Sequence, residues 1–251
     1  MIYLGYALAV VIGLSLGLLG GGGSILTVPV LVYVLGYSVK EAVPLSLVVV
    51  GVTSGFGAAN HQRNGNIRWD AAVSFGPAAI VGAFLGGRLA SSVPGRWQLG
   101  IFAVLMLAAA ISMFFGAALW GRRVAADLPA PRRPWPILAL LGAGVGALTG
   151  LVGVGGGFMY VPALVVLGGV AMKQAIGTSL VLIVISCAAG LLGHLGAVTL
   201  DWRAAALFTG LAIVGVLVGS ALVKSVPQAG LRRAFAVLLM VMGVLVLLKP
   251  R

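Results

Sequence analysis

Acidic residues are almost missing from this chain. Among 251 residues there are four, Glu41, Asp70, Asp127 and Asp201. Charged residues of both signs make up 8% of the chain, against about 25% in soluble domains. Hydrophobic residues make up 61%, with a mean hydropathy of +1.18. Such a chain cannot cover a water-facing surface, and the class it implies is an all-α polytopic membrane protein. Each of the four acids falls at the end of an apolar segment or in a polar linker, so none is expected at mid-membrane. Proton and metal-cation pathways run over intramembrane carboxylates. Their scarcity argues against a cation substrate, a carboxylate proton relay and a paired-carboxylate enzyme. The single cysteine, Cys187, rules out an internal disulfide and a thiolate metal set, and it reads as a small core residue. No metal is expected. Gly20-x-Gly22 is too little for a dinucleotide loop without a preceding strand, so no cofactor is expected either.

Basic residues are present, and the net charge is +12. They are scattered at the ends of apolar runs, where positive-inside orientation and lipid headgroups place them. Nucleic acid is therefore not an expected partner. The N-terminus MIYLGYALAV lacks a basic n-region and reads as a retained membrane segment.

Residues 2–35 are apolar throughout. As one straight helix they would span roughly 50 Å, against a hydrocarbon core of about 30 Å. Four glycines, Gly20 to Gly23, interrupt the run, each costing a helix roughly 1 kcal/mol against alanine. The break leaves a full-length first piece and a short second piece from Ser24 to about Leu35. Further apolar segments follow at 42–59, 70–90 and 98–119. A polar linker with four arginines and three prolines, 120–134, divides the chain into a first repeat at 1–119 and a second at 135–251. The second half has segments at 135–153, 157–168, 175–192, 203–223 and 231–248.

A single offset of 133 residues aligns the halves without a gap from Gly17 to Val104. It superposes GLLGGGGSILTVP on GLVGVGGGFMYVP, and pairs Lys40 with Lys173, Ser46 with Ser179, His61 with His194, Trp69 with Trp202 and Gly82 with Gly215. Repeats with interrupted helices at corresponding positions are the mark of a secondary transporter. If the broken run crosses once, the repeats are parallel, and lysine and arginine divide nine to seven across the membrane. If it enters and returns, they are inverted, and the division is ten to six. The positive-inside rule leans to the inverted arrangement with both termini outside.

The two breaks are the candidate binding elements. Irregular backbone survives in hydrocarbon only where it is buried in protein or lines a cavity. The free N–H groups and dipole of a helix start attract anions. The residues in question are Gly20, Gly22, Gly23, Ser24 and Thr27 in the first copy, and Gly153, Gly155, Gly156, Gly157 and Tyr160 in the second. Ser46, Thr178 and Ser179 are candidate wall hydroxyls, unless they bond their own helix. His61 and His194 are candidates for gating or proton coupling, against the plainer reading of interfacial histidines. The pairs Gly82-x-x-x-Gly86 and Gly215-x-x-x-Gly219 read as helix-packing motifs. Trp69, Trp97, Trp120, Trp135 and Trp202 read as interface anchors.

The doubled glycine break followed by proline resembles the sulfite exporter TauE/SafE family of membrane permeases. So do AIGTS at 175–179, GNIRW at 65–69 and VTLDW at 198–202. The resemblance implies a multi-pass protein of the bacterial inner membrane that moves sulfur-containing anions such as sulfite, thiosulfate or organosulfonates. It also implies a site between the halves near the midplane. The first copy departs from the pattern at Pro44–Leu45, where the second has Gly177–Thr178. The expected partners are a small anion and the bilayer, with a homodimer left open. An anion channel of the same fold, a membrane enzyme acting on a lipid phosphate and a non-transporting assembly partner are the alternatives. The enzyme lacks mid-membrane carboxylates and any nucleophile–base pair, so the expectation is a protein without catalytic residues.

Overall fold

The computed structural model describes residues 2–20, 22–125, 135–167, 170–194, 201–222 and 227–248. Asp127 and residues 126–134 of the expected linker lie outside them, as do residues 198–200 of the VTLDW stretch. The described chain is helical throughout. The helices are α1 (Ile2–Leu19), α2 (Gly22–Pro29), α3 (Val39–Arg63), α4 (Trp69–Ala90), α5 (Gly95–Ala125), α6 (Trp135–Val152), α7 (Gly157–Pro162), α8 (Met172–His194), α9 (Trp202–Leu222) and α10 (Gln228–Leu248). Among the described residues, α3, α4, α8 and α9 are long and apolar enough to cross a membrane, and shorter apolar helices fill the rest. Large hydrophobic side chains face outward, such as Val73, Val81, Leu89 and Val214. The buried set contains serines, threonines and both histidines. That distribution suits hydrocarbon outside and a polar interior.

Each break turns the chain back. A Cβ on Gly23 would overlap the Ile12 carbonyl and the Leu16 backbone, and one on Gly5 would meet the Leu35 side chain. α1 and α2 therefore run antiparallel, as a hairpin that enters and returns. Both short helices pass through a proline, Pro29 or Pro162, and widen into a π-helical turn, Val30–Val34 or Ala163–Leu167. Proline has no N–H to continue the i−4 ladder. The ladder is replaced by wider bonds, from Tyr37 N–H to Leu31 O and from Val170 N–H to Leu164 O, both 3.0 Å.

The longest contacts exchange partners between the halves. α1 packs along α9, and α6 along α4. The seams are glycine faces. A Cβ on Gly13, Gly17, Gly215 or Gly219 would overlap the carbonyls of Ala212, Val216, Val10 and Leu14. On Gly146, Gly150, Gly82 or Gly86 it would overlap those of Ala79, Ala83, Ala143 and Ala147. Each atom of the first seam recurs 133 residues away in the second. Small residues let helix backbones close to this distance, and in lipid this packing drives association. In both seams the helices run parallel. α3 and α8 cross antiparallel instead, with Leu47 against Gly190, Cys187 against Gly51, Val184 against Gly55 and Leu180 against Gly57. α5 packs along α10. Four of the five pairs of helix starts keep the same spacing, the exception being the short helices, which start at Gly22 and Gly157. Ile2 and Trp135, Val39 and Met172, Trp69 and Trp202, and Gly95 and Gln228 are each 133 apart.

A candidate anion site at two helix breaks

The breaks open alike. α1 and α6 end on glycines whose N–H groups close the last turn, Gly20 to Leu16 O at 2.9 Å and Gly153 to Thr149 O at 2.8 Å. Both glycines then adopt left-handed backbone, φ +73° and +75°. That conformation is open to glycine and strained for a residue with a Cβ. Space forbids the side chain as well. Gly20 abuts Ile176 and Ser179 of α8, and Gly153 abuts Val43 of α3. Each hairpin tip thus rests on the long crossing helix of the other half.

Past the tips, the short helices begin near the middle of the molecule. Gly23 lies at the level of Ile12 and Leu16 on α1, and Gly13 beside them meets the centre of α9. Gly155 faces Val50 on one side of the α3–α8 crossing and Ile183 and Cys187 on the other. Gly156 packs on the hydroxyl of Thr149, and Gly157 opens α7. The second break thus lies at the α3–α8 crossing, and α2 packs against α3 and against α7. N–H groups at a helix start have no partner within the helix.

The hydroxyls divide by what they touch. Tyr160 is fully buried and its hydroxyl shares a 2.6 Å hydrogen bond with Ser186. Ser46 donates to Val43 O at 2.7 Å and also reaches Gly153 O. Ser179 donates to Ile176 O at 2.8 Å. Thr178 accepts from the Arg68 N–H at 2.9 Å and holds the connection before α4. Its counterpart Leu45 has no such group, so the departure noted at Pro44–Leu45 removes a bond that pins a loop. Ser24 and Thr27 are fully buried on α2, and the Thr27 hydroxyl has no hydrogen-bond partner.

Both histidines are interior. His61 has 1% exposure, and neither ring nitrogen is hydrogen-bonded, although the ring faces the backbone at Gly17. His194 donates from Nδ1 to Gly190 O at 2.9 Å, and its Nε2 has no partner. Glu41, Asp70 and Asp201 are exposed at helix starts. Arg68 and Asp70, two residues apart on the surface, form an ion pair, and among the described residues no group of acids, histidines or cysteine could hold a metal.

Several polar residues at the crossing carried no signal in the segment-by-segment reading of the sequence. Thr53, Ser54, Thr149 and Ser186 are all buried there. Carrying the 133-residue offset into mid-segment would have found three of them, because it pairs Thr53 with Ser186 and Ser54 with Cys187, but it pairs Thr149 with Leu16.

The chain is similar to known membrane proteins over most of its length. The family model described as Sulfite exporter TauE/SafE matches residues 5–246. A protein of Xylella fastidiosa named "Probable membrane transporter protein" is 36% identical over 170 residues, which cover 67% of this chain and 64% of that protein. "Probable membrane transporter protein YdhB" of Bacillus subtilis is 23% identical over 236 residues, 94% of this chain and 96% of its own length. "Probable membrane transporter protein MJ0441" of Methanocaldococcus jannaschii is 29% identical over 202 residues, 76% and 73% of the two chains. No solved structure matches the chain. A family match from the first hairpin to the last helix agrees with a polytopic helical bundle built around two glycine breaks, and the chain belongs to the sulfite exporter TauE/SafE family.

Proposed function

We propose that the protein is a secondary transporter of small sulfur-containing anions, such as sulfite, thiosulfate or organosulfonates. One observation carries the reading. Two glycine breaks from opposite halves lead into short helices that pack on α3 and α8 and on each other, in an interior whose described polar groups are hydroxyls, imidazoles, one amide and backbone rather than carboxylates. The potential there is set by helix starts and peripheral basic residues, which favours an anion.

The chain is taken as two inverted repeats, 1–119 and 135–251. The antiparallel crossing of α3 and α8 supports this, because equivalent helices of parallel repeats run in the same direction. With each break as a hairpin, basic residues divide ten to six. The connection after α3 and the linker before α6 then lie in the cytoplasm, and both termini lie outside. The glycine seams define the moving parts. α1 and α9 are locked together with α3, and α6 and α4 with α8. Alternating access is then a rocking of these exchanged bodies about the α3–α8 crossing, rather than of one sequence half against the other.

The test is uptake of radiolabelled sulfite, thiosulfate and taurine into proteoliposomes of the purified protein. Saturable uptake above that of protein-free vesicles, lost when Gly22 at the start of α2 is replaced by leucine in a folded protein, is the expected result. Uptake indifferent to that substitution would place the anion elsewhere.

A further inference from the structure

The two breaks occupy corresponding positions but differ beyond their first glycine, since Gly155 and Gly156 are left-handed (φ +66° and +65°) whereas Gly22 and Gly23 already belong to α2. In the second, Tyr160 fills the space beside the short helix, and its hydroxyl and that of Ser186 satisfy each other at 2.6 Å. The Thr149 hydroxyl is bonded to Val145 O at 2.8 Å. Cys187 Sγ stands 3.4 Å from where a Cβ on Gly155 would be. The hydroxyls of Tyr160, Ser186 and Thr149 in that copy are thus all bonded within the protein.

In the first copy, the residues 133 positions earlier are Thr27, Thr53, Ser54 and Leu16. Threonine replaces the tyrosine ring and leaves its volume unfilled by that side chain. Thr53 is bonded to Val49 O at 2.6 Å. Thr27 and Ser54 are both fully buried, and neither hydroxyl has a partner. A buried hydroxyl without a hydrogen bond is unfavourable, and proteins retain few of them. One of them, Thr27, is on α2 itself. The other, Ser54, is on α3, which packs against α2, and it stands 133 residues before the cysteine beside Gly155.

We propose that the anion is held in the first break alone. Thr27 and Ser54 donate hydrogen bonds to its oxygens alongside the N–H groups at the start of α2, and the second break is a closed structural counterpart. The chemical class is a small oxyanion, bound by neutral donors without a basic side chain. That the oxyanion is a sulfur species rests on the function proposed above. The binding step is separable from it.

The experiment is thermal unfolding of the purified full chain in detergent, with sulfite, thiosulfate, sulfate, phosphate or chloride at equal ionic strength. The variants are Thr27→Val, Ser54→Ala, Ser186→Ala and Thr209→Val. Thr209 carries another buried, unpartnered hydroxyl, on α9, and so reports the effect of deleting such a group elsewhere. Sulfite or thiosulfate should raise the melting temperature of the parent protein. Thr27→Val and Ser54→Ala should each weaken binding about tenfold or more, the loss expected for a hydrogen bond to a charged ligand. Ser186→Ala and Thr209→Val should leave the midpoint concentration unchanged. If phosphate or chloride alone stabilises the protein, with the same pattern among variants, the site stands and the sulfur assignment falls. If sulfite stabilises all variants equally, or Ser186→Ala weakens it as much as Ser54→Ala, the site is overturned and the sulfur assignment is untouched. If no anion stabilises the parent, both fall. Should Thr27→Val not fold, Ser54→Ala against Ser186→Ala decides by itself.

Discussion

Gly144 and Gly146 are two residues apart on α6, and the fold predicts opposite responses to alanine. A Cβ on Gly144 would meet nothing within 4 Å. A Cβ on Gly146 would sit 2.8 Å from Cα and C of Ala79 and closer still to its carbonyl oxygen. Ordinary contact begins near 3.4 Å, so clearing the carbonyl oxygen requires α4 and α6 to part by about 1 Å at that point. A gap of that size forfeits roughly half of the dispersion well for each neighbouring atom pair. The loss is shared along a seam that also contains Gly82, Gly86, Gly142 and Gly150. Overpacking of a closed interface costs about 1–3 kcal/mol, and the backbone here has no side chain to move aside, so the upper half of that range applies. At about 2–4 °C per kcal/mol for a chain of this size, Gly146→Ala should melt about 5–10 °C lower in detergent. Gly144→Ala should be neutral or slightly stabilising, because alanine is the better helix former. The assay is fluorescence-detected size exclusion after a heating series. Equal melting of Gly146→Ala and the parent would refute the close α4–α6 seam. An equal drop in both variants would refute the distinction between the two faces of α6.

Other consequences are open to similar tests. The Tyr37 hydroxyl donates to Asp201 Oδ2 at 2.9 Å and ties the first hairpin to the start of α9. Burial, then this bond and the nearby carboxylate, push the phenol up to about 12. The folded phenol keeps its proton to higher pH than the unfolded one, so its contribution is complete below about pH 10 and is lost as pH rises through about 12. Asp201→Asn should lower the tyrosinate absorbance midpoint assigned by difference from Tyr37→Phe, and an unmoved midpoint would contradict the contact. Ser38 caps α3 in a box with Glu41, N–H to Oγ at 3.3 Å and N–H to carboxylate at 3.0 Å. Ser38→Ala should cost about 1 kcal/mol in detergent unfolding. For orientation, cysteines placed at Gly36 or Ser92 should react with an impermeant maleimide in intact cells, and one at Gly65 only after permeabilisation. The reverse pattern would invert the assigned topology.

The bounds of the helices were legible because they depend on local chemistry. Trp69 and Trp202 mark helix starts, and both are more than half exposed. The breaks fall where four glycines and a following proline put them, and the same offset that aligns the halves recurs in the starts of their helices. What could not be read was which helix packs on which. In a chain this apolar, every face of every segment suits lipid, so hydropathy does not single out a partner. Gly82-x-x-x-Gly86 and Gly215-x-x-x-Gly219 announced close approach, but not that α4 seeks α6 or that α9 seeks α1. The candidate site shows the same division. Its glycines were visible as interruptions. The roles of the hydroxyls were not, because Ser46, Thr178 and Ser179 bind backbone, whereas the unpartnered Ser54 lies mid-segment with no motif around it. Tyr160 looked like a site hydroxyl, and only its distance to Ser186 shows that its hydrogen bond is met within the protein.

The proposed transport of a small sulfur oxyanion by alternating access is carrier behaviour. Counterflow measures it most directly. Proteoliposomes are loaded with unlabelled sulfite and diluted into a trace of labelled sulfite without a membrane potential. The account predicts a transient accumulation of label that saturates with internal sulfite and is absent from unloaded vesicles, because a carrier returns to the outer face faster when occupied. Flux that scales linearly with concentration and shows no stimulation from the loaded side, or no sulfite-dependent flux at all, would contradict it.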